Sequence, residues 1–267
     1  MKLPKTFRME KDLDGKIDDL LSSESLVYDP RLVEDLLCVG EEFLEHEWAN
    51  YEGFYHAGVD LVSELKYGLK DVEELSKRIK HGQSKLLGIY LSVLINKKIT
   101  EKDIVTLTLE EKLDGVGMYL QKGTLIINGN VNDSAGYGMR GGELVVEGDA
   151  NNYTGCYMMG GGLVVKGNAN DFTGYFMGGG ELVVKGNAND YTGYFMKGGN
   201  LVVEGNANNN TGRCMENGKI VVEGNANYII GSYMEGGKIV VGGKISGISN
   251  DFRSGVIIEG GRIRRDC

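Results

Sequence analysis

Between Asn132 and Gly243 the chain nearly copies itself every nineteen residues, and this period constrains the fold more than any other feature. One glycine column runs Gly129, Gly148, Gly167, Gly186, Gly205, Gly224, Gly243. A second runs Gly136, Gly155, Gly174, Gly193, Gly212, Gly231, each followed three residues later by a methionine: Met139, Met158, Met177, Met196, Met215, Met234. A Gly-Gly pair, replaced once by Asn217-Gly218, leads into a short apolar run such as Leu144-Val145-Val146 or Ile220-Val221-Val222. A unit this short cannot bury its own apolar face and must stack on its copies. The runs are short and rich in β-branched residues and the units are glycine-rich, which excludes helical repeats and leaves stacked strands.

The expected fold is therefore mainly β: a parallel β-helix of about seven to eight coils, in which a residue and its copy one period later lie about 4.8 Å apart. The crossover rule predicts a right-handed winding. The first coil is degenerate, with Ile104, Val105, Leu107 and Leu109 as its strand, Gly117 in the second glycine column and Leu120 in place of methionine. At the far end Gly255, Ile258, Gly260-Gly261 and Ile263 match Gly231, Met234, Gly236-Gly237 and Ile239 at a spacing of 24, predicting an insertion of about five residues after Gly243. Arg262, Arg264 and Arg265 place charge on the last edge, discouraging strand addition.

Composition changes near residue 104: most of the 42 glycines lie beyond it, while His46, His56, His81, Trp48, Pro4 and Pro30 lie before it. Two domains are read from this, a small all-α cap over residues 1–103 and the β-helix over 104–267. Asp29-Pro30 opens a helix over about 31–48. Further helices are predicted over about 54–67, 71–81 and 85–97, the last two opened by Asp71 and Ser84. Their apolar faces must meet each other or the end of the β-helix.

Alternation along Glu143-Leu144-Val145-Val146-Glu147 points Leu144 and Val146 inward and Val145 outward. Repeated through the coils, it predicts an outward stripe of Ile126, Val145, Val164, Val183, Val202, Val221 and Val240, a surface for a protein partner or for a second copy of the chain. The methionine column, with Tyr137, Tyr175 and Tyr194 two residues before it, reads as core or second-wall packing. The column Asn132, Asn151, Asn170, Asn189, Asn208, Asn227 is either a ladder of side-chain amides or a set of left-handed turn residues.

Chemistry-bearing motifs are sparse. Glu41, Glu42, Glu45, His46 and Glu47 lack the spacing and second copy of a carboxylate-bridged metal site, and read as a solvated acidic helix face. Gly136-Tyr137-Gly138-Met139-Arg140-Gly141 spells a dinucleotide fingerprint without a strand-to-helix turn. Asp133, Asp171 and Asp190 share a column without the spacing of calcium-binding repeats. Cys38, Cys156, Cys214 and Cys267 lack metal-ligand spacing, and Cys156 and Cys214, three coils apart, read as small buried hydrophobes rather than a disulfide. No cofactor is expected. A net charge of -9 without a basic stripe argues against nucleic acid and anionic membranes. Without a signal-peptide core or an apolar run of membrane length, the cytoplasm is the expected compartment.

The repeated unit G-x-x-M-x-G-G-x-[LI]-x-V-x-G, as in Gly136 to Gly148, resembles the GXGXG domain found at the C-terminus of the glutamate synthase large subunit and in one of the subunits of formylmethanofuran dehydrogenase. The resemblance covers about residues 104 to 263. It implies a right-handed parallel β-helix that stands as a structural wall beside catalytic domains, and it carries over no catalytic, cofactor or metal residues. The chain is accordingly expected to be a non-catalytic scaffold docking on a larger oxidoreductase or amidotransferase. The alternatives are a self-assembling homo-oligomer paired through the stripe, and an enzyme with a site between the helical cap and the first coils that uses His46, His56 or His81 as its base.

Overall fold

The computed structural model describes residues 55, 56, 59, 67–79 and 87–266. They form two helices, α1 (Leu69–Ser76) and α2 (Leu87–Lys98), followed by ten strands: β1 (Ile104–Thr108), β2 (Thr124–Asn128), β3 (Arg140–Val146), β4 (Gly160–Val165), β5 (Glu181–Val184), β6 (Asn200–Val203), β7 (Lys219–Val222), β8 (Lys238–Val241), β9 (Val256–Glu259) and β10 (Arg262–Asp266). All ten strands belong to one sheet in chain order. From β1 to β9 every neighbour is parallel, so the chain is a parallel β-solenoid contributing one strand per coil. Among the described residues no helix is long and apolar enough to cross a membrane.

The inward alternation is as expected. Leu144, Leu163, Leu182, Leu201, Ile220 and Ile239 pair in register and are fully buried, as are the valines two residues after each of them. The six methionines are equally buried, so their column is core. Each of Met158, Met177 and Met196 carries its methyl to the corner of the next coil. At Gly180 a Cβ would meet Met158 Cε at 2.8 Å and Gly161 O at 2.7 Å, and the residue adopts a φ of +83°. Glycine is required there on both counts.

Outside the strands, backbone N–H groups bond to carbonyls one coil away: Gly155 N donates to Ala135 O at 2.8 Å, Gly174 N to Thr154 O at 2.8 Å, and Gly193 N to Thr173 O at 2.8 Å. The asparagine column resolves as a side-chain ladder, because none of its members adopts positive φ. Asn151 Nδ2 donates to Asn132 Oδ1 at 3.2 Å and Asn227 Nδ2 to Asn208 Oδ1 at 3.1 Å, with Asn170 bonded to Asn151 and Asn208 to Asn189 in the same way. The buried hydroxyls of Thr154, Thr173 and Thr192 donate to the carbonyls of Asn151, Asn170 and Asn189 at 2.9, 2.8 and 3.0 Å. Asp133, Asp171 and Asp190, raised above as a broken calcium column, each accept the backbone N–H one coil on, from Asn152, Asp190 and Asn209. A parallel file, Asn130, Asp149, Asn168, Asn187, Asn206 and Asn225, does the same at 2.7 to 2.9 Å. These polar columns satisfy backbone donors that the tight corners turn away from the sheet.

Both ends depart from the period. Ile104 faces Thr124, a step of 20, whereas Asp114 Oδ1 still accepts from Asp133 N, a step of 19, so the extra residue lies between Thr108 and Asp114. At the other end the expected 24-residue spacing is wrong. Val256 faces Lys238, a step of 18, and Gly255 occupies the corner that Gly237 holds one coil earlier, with its would-be Cβ 2.9 Å from Gly237 O. Ile230 also bridges Ile248, while Ala226 bridges Ile245, so the coil is one residue short rather than five long. Gly260-Gly261, with φ of +53° and +79°, is not a coil corner but the turn of a hairpin that folds β10 back antiparallel on β9. The match at 24 arose because a hairpin turn and a coil corner both demand two glycines. The arginines of β10 do occupy the last, fully exposed strand.

Of the four helices expected, that over 31–48 and most of that over 54–67 lie outside the described residues. The expected 71–81 helix is α1, beginning two residues earlier and ending at Ser76, with Asp71 Oδ2 accepting Gly68 N at 2.8 Å. The expected 85–97 helix is α2, whose residues from Leu87 to Ile95 are all buried. A helix apolar on every side must be enclosed, and α2 fills the open end of the first coil. Ser92 Oγ bonds Gly88 O and Gly115 O and accepts from Gly117 N at 2.8 Å, while Asn96 Nδ2 donates to Met118 O at 2.8 Å. Helix α1 covers the free edge of β1: Glu73 Oε1 accepts Thr106 N at 2.9 Å and Ser76 Oγ accepts Thr108 N at 3.2 Å. These bonds occupy donors that would otherwise invite another strand. One buried apolar cluster runs from the helices through the coils to Ile257.

Candidate functional site

Two outward walls of the solenoid carry distinctive side chains. The first is the strand wall. Ile126, Val145, Val164, Val183, Val202, Val221 and Val240 lie in one register line, half-buried, in the outward position between two inward residues. The register extends the line by Thr106 before Ile126 and by Ile258 after Val240. Exposed charges flank it on both sides: Glu143, Glu181, Lys219 and Lys238 on one, and Glu147, Lys166, Lys185 and Glu223 on the other, with half-buried Glu204 among the latter. Within the chain Lys166 pairs with Glu147 at 2.6 Å and Lys185 with Glu204.

The second wall is aromatic; sequence reasoning placed Tyr137, Tyr175 and Tyr194 beside the methionine column but did not find the two stacked files that flank them. Tyr153, Phe172 and Tyr191 stack in one file with centroids 5.0 and 4.9 Å apart, and Tyr157, Phe176 and Phe195 in another at 5.2 and 4.9 Å. Tyr175 and Tyr194 stand between the two files and make edge or tilted contacts with both, while Tyr137, in the same column, meets Tyr157 at 5.5 Å. All six stacked residues adopt left-handed φ of 52° to 61°, which costs a non-glycine residue roughly 1–2 kcal/mol. Coil-to-coil bonds hold the conformation, with Tyr153 N on Asp171 O at 2.9 Å and Phe176 N on Tyr194 O at 3.0 Å. Stacking of about 0.5–1.5 kcal/mol per pair offsets much of the cost. The available signal was the recurrence of Tyr or Phe at 19-residue steps over three coils. That signal does not report the backbone, because positive φ is ordinarily the property of glycine and asparagine.

Cations interleave with these rings: Lys197 over Phe176 at 5.4 Å, Arg213 over Tyr194 at 5.9 Å and Tyr233 at 5.6 Å, and Arg253 over Tyr233 at 5.3 Å. Burial, with neighbouring Tyr157 adding to it, raises the Tyr175 phenol above its ordinary range. Tyr153 and Tyr157 are each 37% exposed.

Of the other residues raised above, His46, His81, Cys38, Cys267 and the Glu41–Glu47 group lie outside the described residues. His56 is exposed, its ring 6.2 Å from that of Tyr119 at the first coil. Cys156 is buried, and burial pushes its thiol up to about 12, so it is protonated and unreactive near neutrality. Cys214 differs from the expectation of a buried small hydrophobe: it is only part-buried and takes a left-handed φ of 52°, because its column belongs to the aromatic wall. Both thiols are free. Among the described residues no three His, Cys, Asp or Glu side chains are grouped as a metal ion would need. No protein-family model matches the chain, and no curated protein matches it.

Proposed function

We propose that the chain is a non-catalytic scaffold subunit whose strand wall docks on protein. The observation that carries this reading is the unbroken file of outward Ile and Val residues running from Ile126 to Ile258 across a regular parallel sheet. A scattered exposed valine needs no explanation, but a continuous apolar line about 34 Å long, bordered by charged side chains, has the composition of an interface. The resemblance of the repeated unit to the GXGXG domain supports an assembly built around a larger oxidoreductase or amidotransferase, in which the chemistry belongs to the other component and this chain supplies a wall.

The test is isolation of the tagged chain from its native host. Stoichiometric co-elution with a larger oxidoreductase or amidotransferase is expected of the scaffold, and Val183→Glu with Val202→Glu, placed in the middle of the file, should displace whichever protein covers the wall, the enzyme or a second copy of the chain, and so lower the assembly mass. Unchanged co-elution and unchanged assembly mass in that variant would reject docking through this wall. Turnover by the purified chain alone that is lost on His56→Ala would instead favour an enzyme at the helical end.

A further inference from the structure

The order of charges along the strand wall points to the occupant of the stripe, and we propose that it is a second copy of this chain, packed face to face and antiparallel. This rests on the reading that the strand wall is a docking surface. Rotate a second copy about a two-fold axis that runs parallel to the strands and passes between Val183 and Val202. Coils then meet in reversed order, the first half of one wall facing the second half of the other. Val183 meets Val202 of the second copy, Val145 meets its Val240, and Ile126 meets its Ile258, so the apolar file is a palindrome.

The flanking charges obey the same symmetry. Glu143 faces Lys238 of the second copy, Lys166 faces its Glu223, and Lys185 faces its Glu204, each contact occurring twice. Glu181 falls opposite Asn200, Lys219 opposite Gly162, and Glu147 opposite Gly242, so no like charges meet. Other registers are less favourable. Sliding the second copy by one coil puts either Lys185 and Glu181 against their own copies, with Glu147 against Glu223, or Glu204 against itself, the latter keeping only the Glu181–Lys219 and Lys185–Glu223 contacts. A parallel pair brings Glu143 against Glu147. Like charges placed across an interface select against a register more strongly than opposite charges favour one.

With strands about 16 Å wide and a file about 34 Å long, each copy contributes roughly 500 Å². The pair covers roughly 1,000 Å², the lower bound of a specific interface, so association is reversible and concentration-dependent.

Sedimentation of the full chain over a range of concentrations tests the proposal. A monomer–dimer equilibrium is expected, lost in Val183→Glu. Glu143→Lys and Lys238→Glu should each weaken dimerisation about tenfold, because each creates two like-charge contacts, and the double variant should restore it. Within one chain these residues stand five coils apart, about 24 Å, far beyond the ~8 Å screening length, so rescue reports contact between copies. Lys166→Glu with Glu223→Lys provides a second, independent swap. A monomer at every concentration, a dimer indifferent to Val183→Glu, or single variants not rescued by their doubles would each overturn the pairing. A monomer whose Val183→Glu, Val202→Glu variant still loses a co-eluting enzyme would sink this pairing alone and leave the docking reading standing.

Discussion

Val183 lies between Val164 and Val202 in the strand wall, and Phe172 lies between Tyr153 and Tyr191 in the aromatic wall. Both are stacked at the coil spacing and both are part-buried, yet their backbones are opposites. The valine sits in the extended conformation that β-branched residues favour, so local preference and stacking agree. The phenylalanine sits at a φ of 60°, where its own preference opposes the fold. A wall of the first kind is held by its ladder and is indifferent to which outward residues it displays. A wall of the second kind is held by ring contacts and by the coils above and below, and its side chains cannot be exchanged freely.

The largest effect expected from this contrast is at the corners. Gly180→Val forces a β-branched residue to a φ of +83° against Gly161 O and should cost about 4 kcal/mol or more in denaturant unfolding. Gly162→Val, in the strand wall, places a Cβ whose nearest neighbour is 3.9 Å away and should change stability by no more than about 1 kcal/mol, with gain expected. Equal costs would break the distinction between corner and strand glycines. Next, Phe172→Ala should cost about 2 kcal/mol through the lost stacks, whereas Phe172→Gly should be about 1 kcal/mol less damaging, since glycine relieves the strain. At Val183 the order should reverse, glycine being worse than alanine. The same order at both sites would show that the aromatic backbone is not strained. A smaller loss, about 1 kcal/mol, is expected for Asn208→Ala, which removes one rung of the amide ladder between Asn189 and Asn227. The smallest is Lys197→Ala. Its 3.6 Å pair with Glu216 is half exposed, so thermal unfolding should move by less than the equivalent of about 0.5 kcal/mol.

The unequal legibility of the two walls follows from the same contrast. Inward Leu144 and outward Val145 could be assigned from the sequence because strand alternation has a period of two and the flanking glutamates fix its phase. The methionines could be placed in the core because their copies must be vertical neighbours. The aromatic files could not be placed that way. Tyr153 and Tyr157 recur on the same period, but residue type alone does not report a backbone conformation that their preferences disfavour. The C-terminal slip is not legible in the sequence because Gly260-Gly261 serves a hairpin with the same pair of residues that serves a coil corner elsewhere.

The sequence by itself determined that the chain coils, how long each coil is, and which residues stand in file, because a regular period converts separation along the chain into adjacency in space. Tertiary structure alone decided how α1 and α2 close the first coil, that Asn132 to Asn227 form a ladder rather than turns, and that aromatic residues occupy left-handed corners. Those outcomes depend on hydrogen bonds and ring contacts made one coil away, which outweigh local preference only once the coils are stacked.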